Sequence, residues 1–139
     1  MVSADGSFPG RIDVYGRVDS AAPISAVMAF RMLWMFSSVS RHLDDGHSGK
    51  MADRLYGYVT RTFVDGVNGG VWWSVSPDGQ VLSDKKQSYA IGFAIYALSE
   101  YALLRGSEEA GRLAMQLFDC LEEKAWDPEG YGYVEALSA

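Results

Sequence analysis

The chain has 139 residues, enough for one ordinary domain, and its balance of 48% apolar to 22% charged residues is globular and excludes a disordered chain. A net charge of −6 without any basic stripe argues against nucleic acid or an anionic membrane surface as partner. One cysteine, Cys120, leaves no intrachain disulfide, and the N-terminus lacks the basic and apolar regions of a secretory signal, so a cytoplasmic protein is expected. The longest apolar stretch, residues 26–36, is interrupted by Arg31 and too short to span a bilayer.

Four helices are expected in chain order. The first runs from about Ile24 to Leu43, opened by Pro23 and stopped by Asp44-Asp45-Gly46. Its body is apolar on every face except at Arg31, and for the third helix, apolar on nearly all sides, burial all round is expected. The second, about Gly49 to Val64, mixes polar and apolar residues. The third, about Lys85 to Leu104, is again mostly apolar, with Asp84 and Gln87 suited to a capping box. The fourth, about Glu108 to Lys124, carries Ala110, Leu113, Ala114, Leu117, Phe118 and Leu121 on one stripe, with Ser107 as its N-cap and Glu108 and Glu109 at its positive dipole end. Between the second and third helices, residues 71–75 and 80–82 flank Ser76-Pro77-Asp78-Gly79, which predicts a short β-hairpin.

Apolar and amphipathic helices therefore alternate, as a two-layer helical array requires, with the apolar helices inside. The linkers repeat too. Residues 65–72 resemble residues 127–134 at an offset of roughly 62 residues, and Asp5-Gly6-Ser7-Phe8 is a weaker third copy. The fold class read from these patterns is all-α: an α/α helical-hairpin array with one short β-hairpin. Arrays of this kind usually need about three repeats, and two helix pairs fall short of that.

Five segments carry a family resemblance: Gly10-Arg11-Ile12-Asp13; Arg31-Met32-Leu33-Trp34-Met35-Phe36-Ser37; Met51-Ala52-Asp53-Arg54-Leu55-Tyr56; the Gly69–Val75 loop with Tyr89 and residues 93–101; and Trp126-Asp127-Pro128-Glu129 followed by Tyr133-Val134-Glu135-Ala136. In this order and spacing they resemble the N-acylglucosamine 2-epimerase superfamily of sugar epimerases and isomerases. The resemblance implies an (α/α)6 toroid around a sugar cleft. It also implies a reaction in which the sugar ring opens, a base removes the C2 proton, an enediolate-like intermediate forms, and a proton returns to C2, or to C1 in isomerisation. Two histidines are thought to serve as base and acid in the family, and their positions would lie beyond Ala139. Six units of roughly 62 residues make roughly 370, so residues 1–139 are expected to form a partial toroid domain lacking the first helix and the C-terminal two-thirds. Such a chain taken alone is expected to be inactive. If its reading frame ends at Ala139, it should expose inner-helix apolar surface and self-associate. One departure stands out: the family's Gln-Ala-Phe is Ile91-Gly92-Phe93 here.

The candidate site residues each have a bland alternative. Arg31, the catalytic candidate, either snorkels or pairs with a core carboxylate, or donates hydrogen bonds to sugar oxygens and to a developing enediolate, the role the resemblance implies. A buried unpaired charge would cost several kcal/mol, so a partner is expected. Tyr89 is either packing or the cleft tyrosine of the family. Trp72 and Trp73 could stack on a sugar face, but on an alternating strand only one can face a cleft. Glu100 is either a substrate contact or half of an ion pair. His42 and His47 flank a polar loop and match no family motif. Cys120 reads as a small packed side chain. No zinc spacing, phosphate loop or nucleophile elbow is present, so no metal or cofactor is expected. The expected partner is a sugar. Two alternatives stay open: a non-catalytic helical module or sugar-binding remnant, and a carbohydrate hydrolase on an (α/α) toroid, which would need two cleft carboxylates.

Overall fold

The computed structural model describes residues 2–137. Four helices dominate: α1 (Ala26–Leu43), α2 (Gly46–Thr62), α3 (Ser88–Arg105) and α4 (Glu108–Lys124). Nine short strands close their ends. β1 (Arg11–Ile12) pairs with β2 (Val18–Asp19). β3 (Ile24–Ser25), β4 (Ser74–Val75) and β5 (Val81–Ser83) form a three-stranded antiparallel sheet. β6 (Lys86–Gln87) pairs with β9 (Ala136–Leu137), and β7 (Trp126–Asp127) with β8 (Gly132–Tyr133). No helix among the described residues is long and apolar enough to cross a membrane.

The molecule consists of two copies of one unit. Each helix of the second copy starts 62 residues after its counterpart, Ser88 after Ala26 and Glu108 after Gly46. The strand pairs repeat at the same interval: Ile24 with Val75 and Lys86 with Leu137, then the Val64–Val71 bridge and Trp126 with Tyr133. Even the left-handed backbone positions repeat, Asp44 with Gly106 and Gly69 with Tyr131. The repeated linkers read from the sequence are therefore the visible part of a full structural repeat. The Gly6 copy is a different turn. Gly6 has φ +89°, and a Cβ there would stand 2.1 Å from the Arg54 carbonyl oxygen, so only glycine lets the N-terminal segment seat Phe8 edge-on against Tyr58.

In each unit one helix lies inside and one outside. α1 and α3 pack side by side, with α2 backing α1 and α4 backing α3. The core between the layers is built from Ala29, Phe30 and Leu33 of α1, Ala52, Leu55 and Val59 of α2, Ile91, Ala94 and Leu98 of α3, and Ala110 and Leu117 of α4. The helix ends follow from local chemistry. The Met28 N–H donates to Ser25 Oγ, the Ser48 N–H to Asp45, and the Ala110 N–H to Ser107 Oγ.

Three expectations need correction. The capping box at Asp84 and Gln87 is not formed. The N-cap of α3 is Gln87, which makes no side-chain cap, because Lys86 and Gln87 are drawn into the pairing with β9. The α2 helix begins at Gly46 rather than Gly49, since Asp45 caps it from what read as the stop of α1; His47 thus sits in the first turn of a helix. The apolar helices are not buried all round. Met35 is 43% exposed on α1, and Tyr89, Tyr96 and Leu103 are exposed on α3.

Candidate functional site

Alternate turns of α1 and α3 bring Val27, Arg31 and Met35 of one helix beside Phe93 and Tyr96 of the other. They line an open cavity of about 820 Å³ together with Ser25, Met28, Met32 and Trp34. Most of this wall is thioether and aromatic surface, and Arg31 is its one cation among the described residues. Arg31 is exposed, which corrects the alternative of a core carboxylate partner and leaves the snorkelling one. It forms no ion pair among the described residues. Its guanidinium lies over the Phe93 ring, 5.7 Å from the centroid. Beside it Trp34 stacks on Tyr96 with centroids 5.1 Å apart. Both contacts join residues one repeat apart, so like positions of neighbouring inner helices face each other around the cavity.

Tyr89 reaches the same wall. It packs edge-on against Phe93 at 5.0 Å and lines a shallower recess with Gly92, Phe93 and Tyr96. Arg31 and Tyr89 therefore flank one aromatic ring from two helices. The other candidates lie elsewhere. The Trp72 N–H donates to the Phe63 carbonyl, and the ring carries the Lys86 ammonium 4.7 Å from its centroid. Trp73 donates its N–H to the Ser83 carbonyl and accepts the Ala26 N–H on its own carbonyl, so it fixes the start of α1. Neither tryptophan lines the cavity. Glu100 is engaged by Arg41 through two hydrogen bonds of 2.8 and 3.2 Å. His42 and His47 are exposed, and no cluster of metal-ligating side chains occurs among the described residues.

A buried ion pair lies at the turn that precedes α3. Lys86 pairs with Asp65 and donates to the Gly69 carbonyl at 2.6 Å. Burial would push the Asp65 carboxyl up, but hydrogen bonds from Lys86 and from the Asn68 and Val67 amides outweigh it and hold the pKa at about 2. The pair ties the Asp65–Gly70 turn to the strand that leads into α3. Gly70, at φ +79°, lies under it; a Cβ there would meet Lys86 Cδ at 3.2 Å and Ile91 Cδ1 at 3.3 Å. Met28, Met32, Trp34, Phe93 and Tyr96 were not singled out as site residues in the sequence. The signal that finds them is the repeat itself, because the residue 62 positions from Arg31 is Phe93 and the one 62 positions from Trp34 is Tyr96.

Residues 6–139 match the family model of N-acylglucosamine 2-epimerase (GlcNAc 2-epimerase). A cellobiose 2-epimerase of Bacteroides fragilis is 40% identical over 134 residues, which cover 96% of this chain and 34% of that relative. The structure of cellobiose 2-epimerase from Bacillus thermoamylovorans superposes with a TM-score of 0.92 at 29% identity, over 97% of this chain and 35% of the other. A D-mannose isomerase at 12% identity shares the fold, with a TM-score of 0.87 over 99% of this chain and 36% of the other. These neighbours are (α/α)6 toroids, so the helical array is part of that architecture. The chain spans about a third of the length of the relatives it matches. It belongs to the N-acylglucosamine 2-epimerase family.

Proposed function

We propose that this chain forms one wall of the sugar cleft of a 2-epimerase or aldose–ketose isomerase, with Arg31 as the group that holds substrate oxygens and stabilises the enediolate. The carrying observation is the Arg31 guanidinium, exposed on an apolar wall, free of any carboxylate among the described residues and fixed over Phe93. A sugar docked on this wall would lay its CH face on Phe93, Tyr96 or Trp34 and turn its hydroxyls toward Arg31. When the C2 proton leaves a ring-opened sugar, negative charge spreads over the oxygens at C1 and C2. A guanidinium already in place there gains more from the intermediate than from the neutral sugar, which is the condition for catalysis. Tyr89, edge-on against Phe93, adds a hydroxyl donor in the adjoining recess.

Among the described residues, the cavity wall contains no His, Asp or Glu. The residues of this chain therefore supply binding and charge stabilisation, while the base and acid come from the rest of the ring. The same composition favours the epimerase reading over a glycoside hydrolase, which needs two carboxylates at the bond it breaks; Glu100 is spent on Arg41.

The test completes the ring. Residues 1–139 joined to the remaining two-thirds of the Bacteroides fragilis relative are incubated in deuterated water with cellobiose, mannose or N-acetylglucosamine, and deuterium at C2 is read by NMR. The expected result is label with the native chain and a loss of at least about 100-fold with Arg31→Ala, at unchanged helicity. Near-normal labelling with Arg31→Ala overturns the assignment. The 139-residue chain alone is expected to give no label.

A further inference from the structure

The chain has 18 Asp and Glu against 12 Lys and Arg, so carboxylates are plentiful. Five arginines hold one each: Arg11 with Asp19, Arg17 with Asp13, Arg41 with Glu100, Arg105 with Asp53 and Arg112 with Glu108. Two of these pairs, Arg41 with Glu100 and Arg105 with Asp53, cross the seam between the two units. Arg31 stands on the same seam, over Phe93 of the second unit, yet no carboxylate meets it among the described residues. The rest of its cavity wall offers no negative charge either. It is methionine, valine and aromatic side chains, with Ser25 at one end, whose hydroxyl already accepts the Met28 N–H.

A guanidinium in such a place has no counter-charge. Its N–H groups form a planar fork that matches a carboxylate, and hydrogen bonds to an ionised acceptor are about twice as strong as those to a neutral one. Apolar surroundings weaken screening and sharpen that difference. The preference for an anion is local to Arg31, because the chain as a whole carries a net charge of −6 and repels anions at long range. The proposed reaction makes one anion here, the enediolate, with a planar C1 and its charge shared between oxygens, but only as an intermediate. An aldonate (the sugar acid with a carboxylate at C1) has the same features in a stable molecule. Its C1 is planar, one negative charge is shared between two oxygens, and the carbons from C2 onward keep their hydroxyls. The matching alditol has a tetrahedral C1 and no charge.

We infer that the cavity at Arg31 is also an inhibitory site for aldonates, which bind it through their C1 carboxylate more tightly than neutral sugars or alditols of the same length. The inference rests on the reading of Arg31 as the group that stabilises the enediolate, and extends it from mechanism to regulation. A group placed to favour an intermediate binds stable mimics of that intermediate better than it binds substrate. The carboxylate takes the Arg31 fork, and the carbon chain lies along the Phe93 and Tyr96 side of the wall. No bond is made or broken in this binding. Oxidation at C1 turns the sugar that the site would act on into its inhibitor, so activity falls where the reducing sugar is being oxidised.

The test uses the ring completed with the remaining two-thirds of the Bacteroides fragilis relative, labelling cellobiose in deuterated water, with cellobionate, cellobiitol or acetate added. Cellobionate is expected to inhibit competitively, at a concentration at least about tenfold below that of cellobiitol or of acetate. Calorimetry on the same ring is expected to give the same order of affinities, and Arg31→Gln to bring cellobionate down to the level of cellobiitol. Cellobionate no better than cellobiitol overturns the inference; whether the enediolate reading falls with it is read separately, from labelling in Arg31→Ala. Acetate as good as cellobionate, or a cellobionate advantage that survives Arg31→Gln, overturns it as well. A second measurement needs no turnover. In the 139-residue chain the Arg31 Nε–H resonance, assigned by its loss in Arg31→Gln, is expected to shift with gluconate and not with glucitol, and an equal response to both overturns the inference.

Discussion

Asp65 and Asp127 stand one repeat apart and close the same turn, yet their surroundings differ. Each accepts the N–H two residues ahead, Val67 at 2.9 Å and Glu129 at 3.0 Å. Asp65 is 5% exposed and meets the Lys86 ammonium of the following unit. Asp127 is partly exposed and has no ammonium beside it among the described residues. The turn is a local property, written in the Asp-Gly and Asp-Pro sequences. The energetic weight of the carboxylate is set by the neighbouring unit.

The largest way to break this comparison is to remove the ammonium. Lys86→Met leaves the buried Asp65 carboxylate without its counter-charge and is expected to destabilise the chain by about 3–5 kcal/mol in urea unfolding. Asp127→Asn, which removes a charge from the equivalent turn, is expected to stay within about 0.5 kcal/mol. Equal losses for the two variants would show that the turn, and not the cross-unit pair, carries the stability.

The pH dependence sharpens the same point. Asp65 titrates near 2 in the folded chain, against an ordinary value of 3.8. A depressed carboxylate binds fewer protons folded than unfolded, so its contribution is fully present above about pH 4 and fades as pH falls through the folded value near 2. The shift corresponds to roughly 2.5 kcal/mol at about 1.4 kcal/mol per pH unit. Stability measured from pH 6 down to 2 should fall by an amount of that order, and Asp65→Asn should remove most of the fall. An unchanged slope in that variant would place the acid sensitivity elsewhere.

Much of this arrangement was legible before any coordinates. The α4 bounds and its Ser107 cap follow from a clean apolar stripe with a charged opposite face. The repeat interval follows from two Asp-and-Gly linkers. Those features are local. What could not be read depends on partners far along the chain. Lys86 and Gln87 leave helix for strand because Ala136 and Leu137, 50 residues on, pair with them. The exposure of Arg31 was hidden for a related reason. An apolar run such as residues 26–36 looks the same whether its outer face meets a core or an open cavity. Of the site candidates, Arg31 and Tyr89 converge on Phe93, while Glu100, Trp72 and Trp73 serve the seam and the strands.

The seam offers a smaller test. Asp53 and Arg105 are 47% and 39% exposed, so water screens their attraction. Arg105→Met is expected to cost about 1 kcal/mol or less, and the difference from the native chain should shrink in 1 M salt. A loss of about 3 kcal/mol would mean that this rim pair works like the buried Lys86–Asp65 pair, and the contrast between the two contacts would fail.

The finest contrast is between the starts of the two inner helices. Ser25 accepts the Met28 N–H at 3.2 Å from an extended N-cap backbone, φ −89° and ψ 143°. Gln87 occupies the same place before α3 with nearly the same backbone, φ −104° and ψ 133°, and its longer side chain makes no cap. Backbone geometry is thus ready for a cap that the side chain does not deliver. Gln87→Ser is expected to stabilise the chain by about 0.5–1 kcal/mol, and Ser25→Ala to destabilise it by about 1 kcal/mol. Gln87 sits in the two-residue strand paired with β9, and serine keeps its backbone hydrogen bonds. A Gln87→Ser variant no more stable than the native chain would mean that the pairing with β9 holds this turn of α3 too firmly for a cap to add anything.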